Sequence, residues 1–65
     1  MKTIQELFNE EYIPAHAVEK ELWDGLTVPQ RSKLVLLHTV LRFGKGMKGE
    51  VYIYEGINHI VFFVR

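Results

Sequence analysis

The last fifteen residues, Val51-Tyr-Ile-Tyr-Glu-Gly-Ile-Asn-His-Ile-Val-Phe-Phe-Val-Arg65, constrain the fold more than any other part of the chain. β-Branched and aromatic residues flank Glu55-Gly56, a pair suited to a type I′ turn, so the segment reads as a β-hairpin. Side chains alternate along a strand. With two or four residues in the loop, Val51, Ile53, Ile60, Phe62 and Val64 share one face, with Asn58 near its end. Tyr52, Tyr54, Ile57, His59, Val61 and Phe63 share the other, together with Lys48 and Glu50. The favoured register sets His59 opposite Tyr52, and a slip of one residue would invert the second strand's faces. Both faces are thus apolar, while the helices of a small protein are expected to cover one. The aliphatic face is the expected core face. Tyr52, Tyr54, His59, Val61 and Phe63 form the candidate partner-binding surface, because tyrosine joins contact area at low entropy cost to a polar tip.

Length sharpens that constraint. Sixty-five residues make one domain, 1–65. A chain of this size buries only about 60% of the surface that its unfolded form exposes. Small domains make up the deficit with disulfides, a metal or association. The sequence contains no cysteine, which removes the first and also the cysteine-based zinc sites. Association with a protein partner, a second copy included, is the remaining device. The absence of cysteine fits a reducing compartment. The polar start Met1–Glu6 lacks the basic and apolar regions of a signal peptide, and the apolar runs Leu34–Leu37 and Ile60–Val64 are too short for a bilayer. The expectation is a cytoplasmic protein with no membrane contact.

Eight basic and eight acidic side chains cancel, so self-repulsion is small and association is tolerated. The charges are segregated. Glu6, Glu10, Glu11, Glu19, Glu21 and Asp24 lie in the first third, and Arg31, Lys33, Arg42, Lys45 and Lys48 in the middle.

Three helices are expected before the hairpin. Thr3-Ile-Gln-Glu6 is a capping box, and Ile4, Leu7 and Phe8 follow at helical spacing to about Tyr12. Pro14 suits the first turn of a second helix, whose apolar stripe would be Ala15, Val18 and Leu22, with Gly25 as its stop. Trp23 at its end reads as a lid on the core. Thr27-Val-Pro-Gln30 is a second capping box, opening a third helix that runs to about Phe43. Leu34, Leu36, Leu37, Val40, Leu41 and Phe43 share a broad arc of it. Arg31, His38 and Arg42 lie opposite, with Val35 beside them, and Thr39 is expected on the exposed side. The expected architecture is therefore α+β, in the order α-α-α-β-β, with the hairpin packed on the third helix.

Reactive chemistry is sparse. Gly44-x-Gly46-x-x-Gly49 matches a dinucleotide-binding pattern in letters alone. That motif needs a strand before it and a helix after it, and here the order is reversed. His16, His38 and His59 occur one per element, with no i, i+4 histidine pair. Ser32 is the only serine, and Thr3 and Thr27 serve as caps. Glu10 and Glu11 are adjacent on a helix and so point about 100° apart. No catalytic residue, metal ligand, cofactor or small-molecule substrate is expected. The expected role is non-catalytic: a small regulatory, inhibitory or accessory protein acting through a protein partner or a homodimer, by way of the hairpin. The alternative is a winged-helix-like DNA-binding regulator. That reading uses the third helix, with Gln30, Arg31, His38, Arg42, Lys45 and Lys48 available to nucleic acid.

Overall fold

The structure is a computed structural model that describes the backbone of residues 1–43 and 49–65 and the side chains of residues 1–39 and 49–65. The elements run α1 (Ile4–Asn9), β1 (Ile13–Glu19), α2 (Lys20–Asp24), α3 (Val28–Phe43), β2 (Val51–Glu55) and β3 (His59–Val64). The class is α+β, as the sequence implies, but the sheet has three antiparallel strands in the order β1-β3-β2 rather than two. None of the described helices is long and apolar enough to cross a membrane.

β3 decides this topology. His59-Ile-Val-Phe-Phe-Val64 is apolar on both faces, so it needs cover on both sides, and then its backbone groups lose water along both edges. Buried N–H and C=O groups must be paired. The hairpin pairs one edge through β2. The other edge is paired by Ile13–Glu19, the segment expected to be helical. A lone helix of that length is marginal in water, whereas as a strand the segment satisfies β3. Pro14 has no N–H to donate and is tolerated because β1 is an edge strand. The register shifts between Pro14 and His16, a bulge that leaves Ala15 unopposed. The expected helical stripe of Ala15, Val18 and Leu22 therefore dissolves. Val18 is buried, while Leu22 is exposed on the single-turn α2.

The hairpin keeps the expected division of faces but not the expected turn. Val51 pairs with Val64, Tyr52 with Phe63, Ile53 with Phe62 and Tyr54 with Val61. The reversal is centred on Ile57-Asn58, two residues beyond Glu55-Gly56, and closes with the Gly56 N–H donating to the His59 carbonyl at 2.9 Å. A displacement of two residues preserves the facing. It also moves His59 away from Tyr52 and opposite Glu19 of β1. Gly56 is required by close approach, since a Cβ there would lie 2.9 Å from the His59 carbonyl oxygen.

The core lies in two halves, one on each face of the sheet. On one side Val18, Ile60 and Phe62 are buried under Trp23, Leu34 and Val35. Trp23 covers Phe62 at 5.5 Å between ring centroids, acting as a lid. On the other side Leu7, Tyr12 and Phe63 are buried, with Tyr52, Tyr54 and Val61 packed around them. Both capping boxes form. The Glu6 N–H donates to Thr3 Oγ1 and the Thr3 N–H to Glu6 Oε1, and the same exchange joins Gln30 and Thr27.

Candidate functional site: the interaction surfaces

The face of Tyr52, Tyr54, Val61 and Phe63 is occupied by the chain's own residues. α1 lies across it, with Leu7 fully buried and Phe8 edge-on to Phe63 at 5.9 Å. Phe63 is only 3% exposed. Tyr54 meets it edge-on at 6.0 Å. Tyr52 accepts a hydrogen bond at its hydroxyl from the Lys2 backbone N–H at 2.9 Å. Tyr52 and Val61 are half-buried. The expectation that the hairpin leaves this face uncovered is corrected: six residues of α1 and the turn through Tyr12 suffice to close it.

A polar network seals the rim of that half-core. Arg65 donates from Nε to Glu50 Oε2 at 2.8 Å and from Nη1 to the Glu10 carbonyl at 2.8 Å. The Tyr12 hydroxyl donates to the same Glu50 oxygen at 3.1 Å. Hydrogen bonds from Arg65 and then Tyr12 hold the Glu50 carboxyl below its ordinary pKa. The Arg65 guanidinium also lies over the Tyr12 ring at 4.5 Å. Lys2 pairs with Glu10, and that hydrogen bond raises the lysine's pKa.

His59 stands apart from the tyrosines, exposed beside an open acidic cleft lined by Glu19, Glu21 and Asp24. Of the residues considered for nucleic acid, Gln30 caps α3 through its own side chain. Arg31 donates from Nε to the Trp23 carbonyl at 3.0 Å and lies over the indole at 5.1 Å. His38 stacks on His16 of β1, with centroids 3.6 Å apart and planes within 5°. Burial, and then the neighbouring His38, push the His16 imidazole below its ordinary pKa. Lys45, Lys48 and the side chain of Arg42 lie outside the described residues, as do the glycines at 44 and 46. Among the described residues no three His, Asp or Glu side chains converge as metal ligands.

The rotation of α3 about its axis differs from the sequence expectation. Leu34, Val35 and His38 face the sheet. Thr39, expected in solvent, is buried and donates its hydroxyl to the Val35 carbonyl at 2.7 Å. Leu36 and Leu37, expected in the core, are 61% and 63% exposed, and Val28 is 74% exposed. α3 packs on β1 and β3, so the α3-side face of β2 is partly bare. Val51 and Ile53, expected in the core, are each 37% exposed. Between them and α3 runs a groove of about 540 Å³ lined chiefly by Val28, Val35, Leu36, Val51 and Ile53, with Trp23 and Arg31 at its border. This apolar face was not singled out from the sequence. Its one signal was the width of the apolar arc on the third helix, more than a single sheet face can cover.

Comparison of the chain with protein-family models, with curated proteins and with solved structures finds no match.

Proposed function

We propose that this is a non-catalytic regulatory or accessory protein of the cytoplasm that works by binding protein, and that its contact surface is the apolar face formed by α3 and β2. The hairpin keeps the role expected of it, through the outer side of β2 rather than through the tyrosines. The observation that carries this reading is the exposure of Leu36 beside the half-bare strip of Val51 and Ile53, with Leu37 exposed on the outer side of the same helix. A contiguous apolar patch of a few hundred Å² on so small a chain is the signature of an interaction site. The open, mainly apolar groove supports a binding role. The DNA-binding alternative draws less support, because Gln30, Arg31 and His38 are engaged within the chain and the exposed arc of α3 is led by leucines.

The test is affinity capture with tagged wild type against Leu36→Glu/Leu37→Glu, read by mass spectrometry with the untagged chain included among the baits' possible partners. Loss of at least one specific partner, with an unchanged far-UV spectrum, is expected. Identical capture by both proteins would remove the reading.

A further inference from the structure

Resting on that reading, we infer that the occupant of the apolar face is a second copy of this chain, bound about a two-fold axis so that each α3 lies on the bare β2 strip of the other. Strands lie about 4.8 Å apart and a helix with its side chains is about 10 Å across. A three-stranded sheet face, about 14 Å wide, therefore takes one helix and leaves a margin beside it. α3 takes the β1–β3 side of that face, and the margin left over β2 is about one strand wide, enough to seat one flank of a second helix.

The chain carries the matching helix surface as well. With 100° between residues, Leu36, Lys33 and Leu37 occupy the arc of α3 turned away from Leu34, Val35 and His38. The two leucines are mostly exposed, and Lys33 between them is exposed. One molecule thus holds both a helix whose outer face carries two exposed leucines and an apolar strip that can seat one flank of a helix. When both halves of a contact lie on one chain and face the same way, a closed two-fold dimer satisfies both at once. The result is five layers: α1, sheet, the two α3 helices side by side in one layer, sheet, α1.

Charge agrees. Val51, Ile53 and Glu55 alternate onto the same face of β2, and Glu55 pairs across with Ile60 on the α3 side. The strip therefore ends in a carboxylate, 56% exposed and only loosely paired with Lys20 at 3.4 Å. α3 carries no acidic residue. Laid across the strip, Lys33 of one copy reaches Glu55 of the other, twice per dimer. Around the groove Val28, Leu36, Val51 and Ile53 leave on the order of 350 Å² of surface open, the apolar centre of an interface at the small end of the specific range.

The experiment is light scattering after size exclusion, from about 1 µM to about 500 µM. Wild type is expected to reach twice the chain mass of 7.6 kDa. Leu36→Glu/Leu37→Glu should weaken the dimer by at least about 100-fold, with the far-UV spectrum unchanged. Lys33→Glu and Glu55→Lys should each weaken it roughly tenfold at low salt. An equimolar mixture of the two should recover it, because each interchain contact is then opposite in sign. No heterologous partner produces that rescue. Wild type that stays at 7.6 kDa throughout, or a dimer indifferent to these changes, overturns the inference. If wild type is monomeric yet the double leucine variant still loses a captured protein, only the second copy is excluded. If capture is also unchanged, the interaction reading falls with it.

Discussion

The imidazoles of His16 and His38 stack in parallel at 3.6 Å, a geometry open to neutral rings and hostile to two cations. The pair joins β1 to α3 above Phe62, whose ring lies 6.0 Å from that of His16. Burial, then His38, lower the folded pKa of His16, so the unfolded chain takes up a proton that the fold resists. Stability is then full above the unfolded value of about 6.5 and declines as pH falls through it toward the lower folded value. The urea midpoint should be lower at about pH 5.5 than at about pH 7.5, and His16→Phe should remove much of that difference. Glu50 does not confuse the reading, since its carboxyl is held low by Arg65 and Tyr12 and titrates on the acid side of the window. Equal pH slopes in the wild type and His16→Phe would show that the stack is not what responds.

Among the elements, α1 shows how much a single backbone position decides. Its start is written in Thr3 and Glu6, a capping box of the kind whose loss costs about 1 kcal/mol. Its end is not written in the usual way. The Tyr12 N–H donates to the Leu7 carbonyl and the Glu11 N–H to the Phe8 carbonyl, a Schellman arrangement in which Glu11 takes the left-handed position at φ 69°. Glycine normally fills that place, and a glutamate hides it from a reader of the sequence. The reversal drives Tyr12 back onto Leu7 in the core, which offsets the strain. Glu11→Gly should therefore stabilise the protein by about 0.5–1 kcal/mol, a rise of several degrees in Tm by thermal melting. A lower Tm would mean that the glutamate side chain contributes more than its backbone strain removes.

At the scale of the whole molecule, β3 belongs to both halves of the core. Phe62 and Ile60 serve one side and Phe63 the other, and all three are buried. Neither half can open without withdrawing support from the strand that the other needs, so unfolding should be a single transition. Trp23 reports on the Phe62 side and the tyrosines on the Phe63 side. Their fluorescence and near-ultraviolet signals should melt together, and Phe62→Ala, at a cost of about 3–5 kcal/mol, should abolish both. Separated transitions would show two independent units. Part of this organisation is local and was legible in the sequence: two capping boxes, the start of each flanking helix, the lid role of Trp23, and the division of the hairpin into an aliphatic and a tyrosine-bearing face. Those features depend on neighbours within a turn or on strict alternation, which no tertiary contact can override cheaply. The rest depended on partners distant in sequence. Residues 13–19 have a helical spacing but become a strand, because the free edge of β3 needed pairing. The tyrosine face, expected to be open, is closed by the short α1. α3 turns Leu36 and Leu37 outward, because its position over β1 and β3 is set by the width of a three-stranded sheet. The sequence determined that this chain has more apolar surface than one sheet face can hide, and the tertiary structure alone decided which of those surfaces stays exposed.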